Sequence, residues 1–301
     1  MDKLFIILQY VIPHHLLSLV MHAITRIQWP PFKNYIIRRV VDIYKVDMQD
    51  AIEKRPENYK NFNDFFTRAL APEARPVADD AGICSPVDGH FSQLGKINDG
   101  RIFQAKKHDY SLLELVGGNQ QLANELSDGS FATIYLSPRD YHRIHMPGKG
   151  TLRSMTHVPG RLFSVNRLTT NEVPGLFARN ERLVCVFDSD TGPFAVILVG
   201  AIFVSSMETV WSGIVTPKRL QPTVTNYQKT DSVELDKGDE MGRFNMGSTV
   251  ILLYPKNTLS WNEKLYAGSP VKMGENIAQP AGHEELDNIE NAESVEESDQ
   301  T

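Results

Sequence analysis

Ser248 lies behind Gly247 and ahead of Thr249 and the apolar run Val250 to Tyr254, so a hydroxyl sits beside a flexible glycine at the mouth of a strand. Glycine reaches backbone angles closed to other residues, and the chain can bend there far enough for Ser248 Oγ to attack the carbonyl before it. Such an attack would cut the chain and could leave a new electrophile at the cut. A serine hydroxyl is too weakly acidic to attack unaided; it needs a base within reach, and the base needs a carboxylate to hold its tautomer. Two upstream segments offer these groups: Asp88 in Pro86-Val87-Asp88-Gly89, and His145 in Tyr141-His142-Arg143-Ile144-His145-Met146-Pro147-Gly148. Asp-Gly is also an ordinary turn former. His142 and His145, three apart, can share one face of a helix or turn, a spacing that suits zinc, but no HExxH pattern or cysteine cluster supplies further ligands and no metal is expected. The G-x-S-x-G elbow of most serine hydrolases is replaced by Asn245-Met246-Gly247-Ser248-Thr249.

The elements that must position these residues change character along the chain. Leu4 to Ile12 is apolar apart from Gln9 and is broken by Pro13-His14-His15, well short of a bilayer span. From His15 on, His15, Ser18, His22 and Arg26 recur at helical spacing against Leu16, Leu17, Val20, Ala23, Ile24 and Ile27, the pattern of a helix lying in a membrane interface or of one packed on a core. Asp2 and Lys3 cancel and no small-residue cleavage site follows, which argues against a secretory signal. After Trp29-Pro30-Pro31, residues 32–51 form a second amphipathic pattern carrying Arg38, Arg39 and Lys45, which read as solvated. Asn61 to Arg68 reads as a short capped helix with exposed aromatics. Beyond residue 75, short β-prone runs dominate: Phe131 to Leu136, Leu183 to Phe187, Phe194 to Val204, Glu208 to Val215 and Val250 to Tyr254. Ser111-Leu112-Leu113-Glu114 opens a helix with capping-box spacing. The expected fold is α+β, mainly β: N-terminal amphipathic helices packed on an antiparallel sandwich or barrel-like core. The expected division is a helical membrane-associating region at 1–70, a β-rich catalytic domain at 71–280 and an acidic disordered tail at 281–301.

Composition narrows the function classes. The chain has 301 residues, 41% of them hydrophobic, enough for a full core. Its net charge of -6 comes from the end: residues 283–301 hold eight acids and no Lys or Arg, and the remainder is near +2. A nearly neutral body without a basic block excludes nucleic acid as a partner. Cys84 and Cys185 alone give no disulfide framework and suit a reducing compartment as plain core residues.

The motifs together resemble the phosphatidylserine decarboxylases, most closely the bacterial membrane-associated type. MGST before an apolar strand, SPVDG and YHRIHMPGKG carry the resemblance, with FNDFFTRAL (62–70), FSQLGK (91–96), HDYSL (108–112), VPGRLFSVN (158–166), FARNE (177–181) and ETVWSG (208–213). It runs from about residue 4 to residue 270. Met246 departs from the family, which commonly has Leu there, and an adaptable Met is expected to spare cleavage.

This resemblance implies that Ser248 attacks the Gly247 carbonyl with His145 as base and Asp88 orienting it, and that the ester eliminates to a dehydroalanine that hydrolyses to a covalent pyruvoyl group. Residues 1–247 then form the β chain and 248–301 the α chain, a heterodimer open to further dimerisation. The pyruvoyl forms a Schiff base with the substrate amine and accepts the electrons left by CO₂, so no other cofactor is implied. His142 is the implied proton donor to the carbanion. Phosphatidylserine and the lipid surface are the implied partners, with Leu162-Phe163 helping to admit the lipid and attachment peripheral, on the cytoplasmic face of the cell membrane. The competing readings are a membrane-surface serine hydrolase using Asp88, His145 and Ser248, and a non-catalytic membrane scaffold.

Overall fold

The computed structural model describes residues 2–281 except 80, 106–107, 205, 216–220 and 228, with the side chains of 229 and 248 outside the description. From residue 282 on, the expected acidic tail lies outside the described residues.

Helix α1 (Asp2–Val11) and helix α2 (His14–Thr25) meet at Pro13 with a bend of 91°. No single helix among the described residues is long and apolar enough to cross a membrane, although this bent pair together passes by length and composition. The pair turns its polar side inward. Gln9, His14, Ser18 and Thr25 are buried, whereas Leu4, Ile7, Leu16, Leu19 and Val11 point outward, Val11 being 71% exposed. Their inner face rests on residues 160–164: Arg161 Nη2 donates to the Tyr10 carbonyl at 2.8 Å and the Ser164 amide to Gln9 Oε1 at 2.9 Å. The Phe163 ring meets Tyr10 and His14 edge-on at 5.2 and 5.4 Å. Leu162 and Phe163 are thus fully covered, and their apolar surface holds the helices down instead of facing incoming lipid.

Helix α3 (Pro30–Tyr44) starts on two prolines, which suit a first turn that has no acceptor for its N–H groups, and stops at Lys45 in a left-handed conformation (φ 56°). It ends earlier than the amphipathic pattern to residue 51 suggested, because that left-handed residue redirects the chain. Arg38 pairs with Glu57 at the surface. Helix α4 (Phe62–Phe66) is capped by Asn61, whose side chain accepts from the Asp64 amide at 2.9 Å. The aromatics expected to be exposed are buried: Phe62, Phe65 and Phe66 join Ile37, Val46 and Tyr59 in a small second core. One turn of helix cannot bury three phenylalanines on itself, so it closes over α3.

The β part is antiparallel. A nine-stranded sheet runs in the order Thr223–Asn226, Gly150–Val158, Arg182–Ser189, Gly192–Gly200, Ser248–Tyr254, Ser130–Leu136, Gly89–Lys96 and Pro270–Val271, with Glu234–Leu235 added on Gly150–Val158. It does not close into a barrel. A four-stranded sheet orders Gly213–Val215, Ser206–Thr209, Glu240–Asn245 and Arg143–His145. The expected single run over Glu208 to Val215 is a hairpin whose turn falls between Thr209 and Gly213. Ser111 caps its helix as its spacing predicted, accepting from the Glu114 amide at 3.3 Å. Cys84 and Cys185 are both buried, and the Cys84 thiol donates to the Met146 carbonyl at 3.6 Å.

The Ser248–Tyr254 strand lies in the middle of the large sheet. It pairs along its whole length with Ser130–Leu136 and over Ser248–Leu253 with Gly192–Gly200, and Val250 to Leu253 have no exposed surface. A β-branched and aliphatic run of this kind fits a strand covered on both faces.

Candidate active site

The backbone bends sharply where the sequence predicts it. Met246 has φ 87° and Gly247 φ 28°, two successive residues in the left-handed region, and the next residue opens the central strand. Glycine meets this conformation without steric penalty, and for Met it carries strain of about 1–3 kcal/mol. The Met246 side chain packs against the small core of α3 and α4, which offsets that strain with burial. Ser248 itself is held by its backbone, opposite Leu136 on one side and Gly200 on the other.

Asp88 is fixed just before the Gly89–Lys96 strand. A Cβ on Gly89 would lie 2.4 Å from the Tyr135 carbonyl oxygen, so only glycine lets this strand close on its neighbour. The Asp88 carboxylate accepts from Arg75 Nε at 2.9 Å, from Arg75 Nη2 at 2.6 Å and from the Met273 amide at 2.9 Å. Arg75 also reaches Asp50 Oδ2 at 2.7 Å. His145 is stitched to the same segment by backbone, its amide donating to the Pro86 carbonyl at 2.9 Å. Its ring, however, faces other partners: Nδ1 lies 2.8 Å from the Gly238 carbonyl and Nε2 3.0 Å from the Tyr141 hydroxyl. A carbonyl only accepts, so Nδ1 carries the proton and Nε2 receives the Tyr141 hydrogen. Burial pushes the His145 imidazole below its ordinary value, which keeps it neutral. The structure therefore makes Asp88 and His145 neighbours whose described hydrogen bonds go elsewhere.

His142 and His145 do not share a face. The chain approaches the Arg143–His145 strand extended, so their side chains point to opposite sides. The backbone carbonyl of His142 accepts from the Phe244 amide at 3.0 Å, two residues before Met246. Its ring has no exposed surface and packs on Phe66 with centroids 4.0 Å apart. Nδ1 donates to the Asp140 carbonyl at 2.8 Å, and the buried Nε2 finds no partner among the described residues. Burial, helped by the nearby Arg68 charge, pulls its pKa down to about 3.

An apolar cavity of about 480 Å³ opens at the bent segment, while Asp88, His142 and His145 lie outside its lining. Gly247 and Met246 line it with Phe66, Leu136, Ile24 of α2 and Val40 of α3, so the bent segment faces a greasy chamber roofed by the N-terminal helices. Next to it, a polar cavity of about 410 Å³ is bounded by Arg68, Arg75, Asp88 and Asp140. Among the described residues no group of His, Cys, Asp or Glu is arranged to hold a metal ion. Reading the sequence alone missed Arg75, Arg68 and Tyr141. Tyr141 stood inside a motif already singled out, and its four-residue spacing from His145 was the available signal; nothing in the sequence ties Arg75 to Asp88.

The family model described as Phosphatidylserine decarboxylase matches residues 62–279, and one described as PSD matches residues 4–45. A Bordetella avium protein named phosphatidylserine decarboxylase proenzyme is 53% identical over 283 residues, 94% of this chain and 96% of the relative. Proteins of the same name from Pseudomonas entomophila and Saccharophagus degradans are 52% and 51% identical, covering 93% and 92% of this chain and 99% and 98% of their own lengths. With its bent Met246-Gly247 segment, its paired SPVDG and YHRIH loops and these near full-length relatives, the chain belongs to the phosphatidylserine decarboxylase family.

Proposed function

We infer that this enzyme is made as a proenzyme that cuts itself between Gly247 and Ser248 and then decarboxylates phosphatidylserine to phosphatidylethanolamine at a membrane surface. The observation that carries the reading is the left-handed Met246-Gly247 pair on the wall of the apolar cavity, directly before a strand whose residues 249–254 are buried. After the cut, residues 1–247 are the β chain and 248–301 the α chain. The ladders that flank Ser248–Tyr254 on both sides support their staying together, because both partner strands belong to the β chain.

For self-cleavage the proposed groups are Ser248 as nucleophile, His145 Nε2 as proton acceptor and Asp88 as the carboxylate beside it. The stitched Pro86 and His145 backbones support their adjacency. Nε2 is the ring atom with the lone pair and already holds a hydroxyl, so exchanging Tyr141's for Ser248's arms the base.

The fit of a pyruvoyl group derived from Ser248 is supported by the cavity at Gly247 and by the His142 ring packed behind Phe66 of its wall. Such a group supplies a ketone for the substrate amine and a neighbouring carbonyl that draws off the electron pair left by CO₂. His142 does the proton work. With Nδ1 committed to the Asp140 carbonyl, Nε2 is the ring atom through which His142 would deliver a proton to the carbon that has lost CO₂. The apolar wall of Phe66 favours this step, since departing carboxylate loses its charge there.

The outward apolar faces of α1 and α2 support peripheral attachment to the cell membrane, and a chain with only two cysteines, both buried, suits the cytoplasmic face. The reading keeps residues 1–70 as the membrane-associating part and 71–280 as the catalytic part. The serine hydrolase reading has no support from the family. A denaturing gel with intact mass tests the proposal: the purified wild type separates into chains ending at 247 and starting at 248, and Ser248→Ala stays whole. An unbroken wild-type chain that still turns over lipid overturns it.

A further inference from the structure

The guanidinium of Arg68 is a buried charge short of partners. The residue is 4% exposed; Nη2 donates to the Arg139 carbonyl at 3.0 Å, while Nε and Nη1 find no acceptor among the described residues. Two orphaned donors on a charged group carry a large desolvation penalty, which an anionic ligand would remove. Arg68 also lines the polar cavity, and the acids there are already engaged. Asp88 and Asp50 hold Arg75, Asp140 accepts from the Ser137 amide and hydroxyl, and Glu275 accepts from the Lys272 amide. Arg68 thus feels the charges of Asp88 and Asp140 and lies over the Phe65 ring, yet among the described residues no carboxylate hydrogen-bonds its guanidinium.

The position of this cavity says what kind of anion suits it. It shares its walls with the apolar chamber: Tyr44 faces one and Lys45 the other, Phe66 one and Arg68 the other, Pro138 one and Arg139 the other. Phe66 in turn carries the His142 ring. An amphiphile whose reacting centre lies beside Gly247 and His142 therefore finds a cation a short distance away. In phosphatidylserine only an ester oxygen and a methylene separate the phosphorus from the carbon that bears the amine and carboxylate. The carboxylate is the poorer match, because a guanidinium gripping it would stabilise the charge that decarboxylation must disperse. The phosphodiester keeps the same charge in substrate and product, so its binding energy holds the headgroup without opposing the reaction.

We propose that the Arg68 side of the polar cavity is the seat of the phosphodiester of the lipid headgroup. The proposal rests on the decarboxylase reading for its ligand, yet its test does not need the cleaved enzyme. Full-length Ser248→Ala protein in detergent, which cannot make the pyruvoyl group, is titrated calorimetrically with glycerophosphoserine, L-serine and inorganic phosphate. Glycerophosphoserine is expected to bind about tenfold tighter than L-serine, with Arg68→Met abolishing that preference and leaving L-serine binding unchanged. A preference that survives Arg68→Met overturns the proposal, as does equal loss of both ligands. Inorganic phosphate binding as tightly as glycerophosphoserine, and through Arg68, also overturns it, since the seat would then be for free phosphate. If Arg68→Met melts below the assay temperature, Arg68→Lys decides, because it keeps the charge and loses the fork: a reduced preference supports the seat and an unchanged one removes it. Failure of the wild type to cleave would sink the decarboxylase reading and is seen separately on the gel.

Discussion

His142 has its chemistry set by its surroundings. One nitrogen is committed to a carbonyl, the other is bare, and full burial keeps the ring neutral with a pKa near 3 instead of the usual 6.5. His142→Gln is expected to spare self-cleavage, seen as two chains on a gel, and to lower lipid turnover by about 100-fold in a CO₂-release assay. The same residue bears on acid stability. Between 6.5 and about 3 the unfolded chain binds a proton that folded His142 refuses, so its contribution is intact above 6.5 and is lost as the pH falls toward 3. Thermal melts from pH 7 to pH 4 should accordingly fall less steeply for His142→Gln than for the wild type. Tyr141 gives a sharper test of the relay. Tyr141→Phe leaves the ring tilted against His145 and frees Nε2, so self-cleavage in a pulse-chase is expected to speed up; slower cleavage would make Tyr141 a participant. The sequence offered His142, His145, Asp88 and Ser248 because their motifs are contiguous. It did not offer Arg75, since a carboxylate and its cation thirteen residues apart meet only when the chain folds.

At the scale of the element, the strand that follows the cut was legible and its role was not. A run of Val, Ile and Leu predicts a buried strand, and Val250 to Tyr254 is one. Its place in the centre of nine strands comes from pairings with residues 48 to 58 positions away on one side and more than a hundred on the other. Leu252→Ala should destabilise the protein by about 2–5 kcal/mol, read as a lower midpoint in urea, because the cavity it leaves has packed neighbours on both faces. Helix α4 shows the opposite case. Its cap was visible in Asn61, but three phenylalanines in five residues leave their burial undecided until α3 is known to lie over them.

At the scale of the whole molecule, the outer surface of α1 and α2 is the feature that water does not favour. Changing Leu16, Leu19 and Val20 to Ser leaves the inward polar residues and their contacts with residues 160–164 untouched. Co-sedimentation with phospholipid vesicles is expected to weaken by about 100-fold, and wild-type binding should persist in about 1 M salt, because apolar burial is not screened. Self-cleavage should be unaffected. Loss of wild-type binding in salt would point to the basic residues of α3 instead.

By itself the sequence determined the local chemistry: a hydroxyl after a glycine, a carboxylate on a turn, two histidines in one loop, a greasy amino terminus and a β-rich body. These follow from residue type and spacing over a few positions, which short-range geometry controls. Only the tertiary structure decided which side of α2 faces the protein, that Leu162-Phe163 is a dock, that Asp88 is clamped by Arg75, and that the bent segment opens on a cavity beside Arg68. A helical stripe reports two unlike faces without saying which one meets the core. That choice is made by what the rest of the chain presents, and here residues 160–164 present polar groups that Gln9 and His14 can satisfy.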